Sequence, residues 1–123
     1  MKKILIADDK ATSRELLRTV LERQGYEVME AADGEEALQK ALAEVPDLIL
    51  LDLQMPRRTG YEVLGELRKD ARHATLPIIA LTASAMRGDR ERALAAGFTS
   101  YMAKPVPLVQ LREEVQRLLQ TKE

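Results

Sequence analysis

The chain has no cysteine among its 123 residues, which excludes disulfides, thiol chemistry and zinc–thiolate sites. Aromatic residues make up only 3%, leaving little to stack on a flavin. Neither GxGxxG nor GxxxxGKS occurs, so no glycine-rich loop is present to cradle phosphates with backbone donors. Charge of one sign is not in excess either: 19 Lys and Arg face 20 Asp and Glu, for a net charge of −1. A nucleic-acid binder normally carries a basic surplus, so direct nucleic-acid binding is not expected. No apolar run approaches a membrane span, and "MKKILIADD" meets acid too early for a signal peptide. A cytoplasmic protein without membrane insertion is the expectation.

Hydrophobic residues at 46% and charged residues at 32% describe a soluble globular chain, and the length fits one domain over residues 1–123. Four short apolar runs suggest strands: "KILIA" from Lys3, "DLILL" from Asp47, "PIIAL" from Pro77 and the weaker "SYMA" from Ser100. "YEVMEA" from Tyr26 alternates in part, as a strand with one wet face at a sheet edge does. Helical spacing lies between these runs. Leu16, Leu17, Val20 and Leu21 form one face, closed by Gly25. Asp33 is a predicted N-cap, with Glu36 three residues on as in a capping box, and Ala37, Leu38, Ala41 and Leu42 predicted inward. Val63, Leu64 and Leu67 make a third face. "MRGDRERALAAG" is a fourth helix stopped by Gly97, and a fifth from about Leu108 carries Leu111, Val115, Leu118 and Leu119. Alternation of strands and helices predicts an α/β fold, a mostly parallel sheet covered on both faces.

In such sheets ligands bind outside the carboxyl ends of the strands, so the residues ending each strand carry the information. These are Asp8 and Asp9, Asp52, Thr82 and Lys104. Three carboxylates bring a charge of about −3 into a partly desolvated crevice, which like-charge repulsion opposes. A divalent cation together with Lys104 brings the sum near zero. Oxygen-only ligands favour a hard ion such as Mg²⁺. An acidic metal site beside a Lys and a hydroxyl is equipped for phosphoryl transfer, which depends on positioning and neutralised oxygens. A carboxylate can itself be the nucleophile, forming an aspartyl-phosphate.

"ILIADD", "DLILLDLQMP", "PIIALTA" and "YMAKP", in that order, resemble the bacterial response-regulator receiver domains, the family of the chemotaxis regulator CheY. Through "LTASAMRGDRERALAAGFTSYMAKP" the likeness is to single-domain regulators of the DivK type. The resemblance implies a flavodoxin-like/CheY-like five-stranded parallel sheet in the order 2-1-3-4-5. It implies Asp52 as phosphoacceptor. Asp9 would hold Mg²⁺ directly with Asp52, Asp8 largely through water, and the Gln54 backbone carbonyl would add a ligand. Thr82 and Lys104 would stabilise the phosphoryl group, Tyr101 would be the switch aromatic, and the Lys104–Pro105 bond would be cis. Partners would be a histidine kinase or histidine phosphotransfer protein and a downstream protein target, with the chain a monomer or weak dimer. It would be a phosphoacceptor assisting its own phosphorylation and dephosphorylation, not a conventional enzyme. Arg57, Arg58 and Thr59 before Gly60 depart from the usual apolar-then-acid pattern, and Lys10 replaces a neutral or acidic residue. These changes bear on local charge, the kinase-facing surface and dephosphorylation.

Plainer readings stand beside these. Asp8 and Asp9 could cap the first helix, Thr82 could simply end a strand, Lys104 could snorkel, and Tyr101 could be an ordinary half-buried aromatic. His73, in polar "KDARHAT", is expected to be a solvated loop residue without a role. Met55, Met86 and Met102 are read as packing, and Arg87, Arg90 and Arg92 as solvating the fourth helix or, together, as part of a partner surface. Two other functions compete: a phosphorylation-independent interaction module on the same fold, and a flavin- or nucleotide-binding protein. The acid–Thr–Lys set speaks against the first, and the missing phosphate loop against the second.

Overall fold

The computed structural model describes residues 1–83 and 86–120, so residues 84–85 of "LTASAM" lie outside the described part. Strands β1 (Lys3–Ala7), β2 (Glu27–Ala31), β3 (Leu48–Asp52), β4 (Ile78–Thr82) and β5 (Ser100–Ala103) alternate with helices α1 (Ala11–Arg23), α2 (Gly34–Glu44), α3 (Gly60–Arg68), α4 (Asp89–Ala96) and α5 (Leu108–Gln120). The sheet runs β2-β1-β3-β4-β5, with every neighbouring pair parallel. The three continuous apolar runs are its central strands, and the partly alternating β2 is an edge, as its sequence pattern predicts.

Period-two alternation divides the central strands between two cores. Leu5, Ala7, Ile49, Leu51, Ile78 and Ala80 pack under α2, α3 and α4. Ile4, Ile6, Leu48, Leu50, Ile79 and Leu81 pack under α1 and α5. Each fully buried Leu or Ile contributes about 1.5–3 kcal/mol over its exposed state, which is why these runs tolerate no polar residue until the strand ends. The crossover from β1 to β2 through α1 and those from β2 onward, through α2 to β3 and through α3 to β4, run in opposite directions across the sheet, so right-handedness puts them on opposite faces. The order of strands therefore reverses between β1 and β3, and the sheet edge there opens a crevice.

Local signals account for most helix ends. Asp33 accepts the Glu36 N–H at 2.8 Å, but the Glu36 carboxylate accepts from Ala32 N–H, one residue before the capping-box partner. A full capping box forms instead at α3 between Thr59 and Glu62. Gly25 follows α1 with φ +95°, and Gly97 ends α4.

Several expectations need correction. Leu16, predicted inward on α1, is 52% exposed, and Leu42 also lies at the surface. On each helix the buried stripe is narrower than the apolar one and centres on Leu17 and Leu21, and on Ala37 and Ala41. Met86 is 71% exposed rather than packed, and α4 starts three residues later, at Asp89. His73 is fully buried. It ends a short 3-10 turn, Ala71–His73, and its Nε2 lies 2.9 Å from the Ala41 carbonyl oxygen, a bond that ties this connection to α2. Among the described residues, no helix is long and apolar enough to cross a membrane.

Candidate functional site

Asp8 directly follows β1, and Asp52 is the last residue of β3. The two strands are neighbours with Ala7 opposite Leu51, so both carboxylates emerge at the same rim. Asp9 joins them: one carboxylate oxygen from each of Asp8, Asp9 and Asp52 lies within 4.8 Å of the others. From the far edge of the sheet Lys104 reaches in, its Nζ 2.8 Å from Asp8 Oδ2 and 3.0 Å from Asp52 Oδ2. Of the five side chains expected at one edge, Asp8, Asp9, Asp52 and Lys104 meet here, and Thr82 ends the neighbouring strand β4.

Asp8 is fully buried and Asp52 only 4% exposed, whereas Asp9 is open to solvent. Burying a carboxylate costs several kcal/mol unless it is paired and hydrogen-bonded. Asp8 meets that requirement. Its Oδ1 accepts the Lys10 N–H at 2.9 Å and its Oδ2 accepts from Lys104. Burial alone would raise the Asp8 carboxyl, but Lys104, the Lys10 N–H and the Ser13 hydroxyl outweigh it and hold the group below the ordinary range. Asp52 has less support. Its Oδ1 accepts the Gln54 N–H at 3.0 Å, and Lys104 is shared. Burial prevails there, with Asp8 adding to it, and pushes the Asp52 carboxyl up. Burial would depress Lys104, yet its two carboxylates overcome this and keep its ammonium charged. Adjacent acids displaced in opposite directions are the expected outcome of like charges sharing one crevice.

The loop carrying Gln54 is held by close backbone approach. A Cβ on Gly60 would stand 2.7 Å from the Asp52 carbonyl oxygen, and one on Gly34 would stand 2.1 Å from that of Arg58. Only glycine lets α3 begin against Asp52 and α2 begin against the loop. Arg58 pairs with Glu35 at 2.7 Å and Arg57, with φ +74°, approaches Asp33 at 3.4 Å. Both arginines therefore turn toward the start of α2, Arg58 to its first turn and Arg57 to its N-cap.

Thr82 is buried at the end of β4, one residue beyond Leu81, which faces Asp52 across the sheet. A hollow of about 370 Å³, lined among others by Gln54, Thr59, Thr82 and Met86, opens beside it. Tyr101 lies on β5 opposite Ala80. Its ring is half-buried, and its buried hydroxyl has no hydrogen-bond partner among the described residues. The Lys104–Pro105 peptide is cis. As for the capping alternative, the N-cap of α1 is Lys10, whose own side chain makes no capping bond, while Asp8 accepts the Lys10 N–H.

Sequence reasoning passed over Arg14. Its Nη1 donates to the Asp8 carbonyl at 2.7 Å and its Nε to Glu30 Oε1 at 2.9 Å. An arginine five residues after the acid pair was the available signal, but nothing local ties it to a glutamate 16 residues further along.

Comparison with known proteins decides what this rim belongs to. The response regulator receiver domain family matches residues 4–116. The chain belongs to that family. This receiver is 37% identical over 118 residues to the polar-differentiation response regulator DivK of Brucella ovis, covering 96% of both chains. Chemotaxis protein CheY4 of Vibrio cholerae superposes with a TM-score of 0.89 at 35% identity, covering 97% of this receiver and 99% of that chain. The receiver domain of sensor histidine kinase PA1611 from Pseudomonas aeruginosa PAO1 matches with a TM-score of 0.89 at 36% identity over 98% of both chains. That structure carries a magnesium ion coordinated in its active site cleft. Here, three carboxylates and an ammonium leave a formal charge near −2 at the rim, and an all-oxygen donor set of this kind suits a hard divalent ion.

Proposed function

We propose that this receiver is a phosphorylation-controlled signalling switch in which Asp52 accepts a phosphoryl group from a histidine kinase or histidine phosphotransfer protein. The observation that carries the reading is the Asp52 carboxylate held at the rim by Gln54 N–H and Lys104, within 4.8 Å of Asp8 and Asp9. Asp9, Asp52 and the Gln54 backbone carbonyl would hold Mg²⁺, with Asp8 acting through water. When bound, the ion supplies positive charge against the oxygens of the incoming phosphoryl group.

Asp52 is the nucleophile: its oxygen forms the new P–O bond as the P–N bond to the donor imidazole breaks, and the imidazole leaves with the electron pair. Gln54 N–H fixes one Asp52 oxygen and Lys104 the other, which limits the rotamers from which attack can occur. Asp8, fully ionised beside it, keeps Lys104 charged and in place. After transfer, Lys104 and the Thr82 hydroxyl stabilise the phosphoryl oxygens. Drawing Thr82 and the following loop inward changes the surroundings of Tyr101 and the surface formed by α4 and β5. The free energy available to shift the population is limited to the difference in contacts between the two states. Output then passes to a downstream protein, or the phosphoryl group passes onward. We place the receiver in the cytoplasm as a monomer or weak dimer without nucleic-acid contact.

Incubation with acetyl phosphate and Mg²⁺, followed by intact mass, tests this. The parent chain gains one phosphoryl group and Asp52→Asn gains none. If Asp52→Asn were labelled as fast and as fully as the parent, the assignment is wrong. Beryllium fluoride with Mg²⁺ should move the amide resonances of Thr82, Tyr101 and Lys104. An intact fold with unmoved spectra would mark a phosphorylation-independent module instead.

A further inference from the structure

Asp9 poses a problem that its neighbours do not. Its carboxylate is exposed and, among the described residues, has no hydrogen-bond or ion-pair partner. A side chain without partners is aimed by its backbone alone. The peptide that sets that backbone is the one between Asp8 and Asp9, and three contacts fix it. Asp8 N–H donates to the Ala31 carbonyl at the end of β2 at 3.1 Å, Lys10 N–H donates to the Asp8 carboxylate, and Arg14 Nη1 donates to the Asp8 carbonyl oxygen at 2.7 Å. Only the last grips the oxygen of the Asp8–Asp9 peptide itself, so it sets the plane from which Asp9 projects.

Arg14 is itself held. It sits in the second turn of α1, mostly buried, and its Nε pairs with Glu30 Oε1 at 2.9 Å. The second Glu30 oxygen takes Arg18 Nη1 at 2.7 Å, and Lys40 Nζ binds the Glu30 carbonyl at 2.6 Å. A planar guanidinium with donors in two directions can span Glu30 on β2 and the peptide after β1, where an ammonium offers a single centre. Glu30 also balances the Arg14 charge, so this cation beside the acids opposes a second cation far less than an unpaired arginine would.

We propose that Arg14, anchored by Glu30, is a positioning residue that sets the Asp8–Asp9 peptide plane and thereby aims Asp9 at the divalent cation. The inference rests on the reading of the acid cluster as the Mg²⁺ site. It assigns to α1 and the edge strand β2 a part in ion affinity that touches neither the ion nor the phosphoryl group. Outer partners that orient a metal ligand are typically worth 10–100-fold in affinity.

The test is an NMR titration of the full chain with Mg²⁺, comparing the parent with Arg14→Ala, Arg14→Lys and Arg18→Ala. Arg14→Ala should weaken Mg²⁺ binding roughly tenfold. The extent of acetyl-phosphate labelling should return to the parent's once Mg²⁺ saturates, because the nucleophile is untouched. Arg14→Lys should bind several-fold more weakly than the parent, since one ammonium cannot span both partners. Arg18→Ala shares the Glu30 anchor but not the Asp8 contact, and should stay within about twofold. A role in stability alone lowers the melting temperature and leaves the Mg²⁺ constant where it was. A folded Arg14→Ala chain binding Mg²⁺ as the parent does overturns the proposal. Should Arg14→Ala fail to fold, parent-like binding by Arg14→Lys overturns it equally. A parent chain that binds no Mg²⁺ is a different failure: it removes the metal-site reading, and this inference with it.

Discussion

Asp52→Asn should stabilise the protein it inactivates. Lys104 Nζ lies 3.0 Å from Asp52 Oδ2, an attraction of about 5.5 kcal/mol at an effective dielectric constant near 20. Asp8 lies within 4.8 Å of the same carboxylate, a repulsion of about 3.5 kcal/mol or more on the same scale. Asp9 repels as well, at a fraction of that because it is exposed to water. Attraction and repulsion thus come close to cancelling, and the burial of Asp52 decides the sign. Its raised carboxyl expresses the same balance. An asparagine keeps the oxygen that accepts the Gln54 N–H, and leaves Lys104 paired with Asp8. The expected gain at pH 7.5 is about 1 kcal/mol, or roughly 3–5 °C in melting temperature for a chain of this size. A carboxyl raised in the folded state is neutral in both states below its unfolded value, and its penalty grows as pH climbs through the folded one. The advantage of Asp52→Asn should therefore be larger at pH 7.5 than at pH 4.5. Paired thermal melts in EDTA at those two pH values are the assay. Adding Mg²⁺ to about ten times its dissociation constant should return about 1.4 kcal/mol to the parent and less to the variant. Asp52→Asn melting at or below the parent in EDTA at pH 7.5 refutes the reasoning.

Three further outcomes follow from the same coordinates. His73→Ala removes a fully buried ring and its bond to the Ala41 carbonyl, and should cost about 2–4 kcal/mol in urea unfolding. Gly60→Ala forces a Cβ to within 2.7 Å of the Asp52 carbonyl oxygen; the backbone must yield, costing about 1–3 kcal/mol and slowing the acetyl-phosphate labelling of Asp52. In Glu30→Gln the lost pairing is of the opposite pH sense to Asp52. Arg18 first, then Arg14, overcome burial and hold the Glu30 carboxyl below its ordinary value. That contribution is present above about pH 4.3 and disappears as pH falls through the lower folded value. The variant should be less stable at pH 7 by no more than about 1 kcal/mol, with the difference closing in acid, as urea melts at several pH values will show.

The rim was legible in the sequence because a strand buried on both faces can change to acid only where it leaves the sheet. "LILL" ending in Asp52 and "ILIA" ending in Asp8 and Asp9 therefore announced both the strand ends and the site. Leu16 and Leu42 were misplaced because helical spacing gives the direction of an apolar face but not the width that its neighbours cover. His73 was hidden for a different reason. Its polar neighbours form a turn too short to carry a period, and its partner is a carbonyl 32 residues away. Arg14 and Glu30 were hidden in the same way, since both contacts cross between elements that only the folded order brings together.

Arg57 and Arg58 show how a departure from pattern can be visible without its consequence being so. In the chain they read as two added positive charges shortly after Asp52. In the fold Arg58 turns to Glu35 and closes a tether between the Gln54 loop and the start of α2, helped by the Gly34 N–H donating to the Pro56 carbonyl. Arg57 is 70% exposed and only loosely approaches Asp33. So the pair leaves one loosely held charge at the surface, Arg57, not two, and Arg58 fastens the loop that carries Gln54. Charge counted along a sequence is an upper bound on charge presented to a partner. What lowers it is pairing across the fold, which sets Arg58 apart from Arg57.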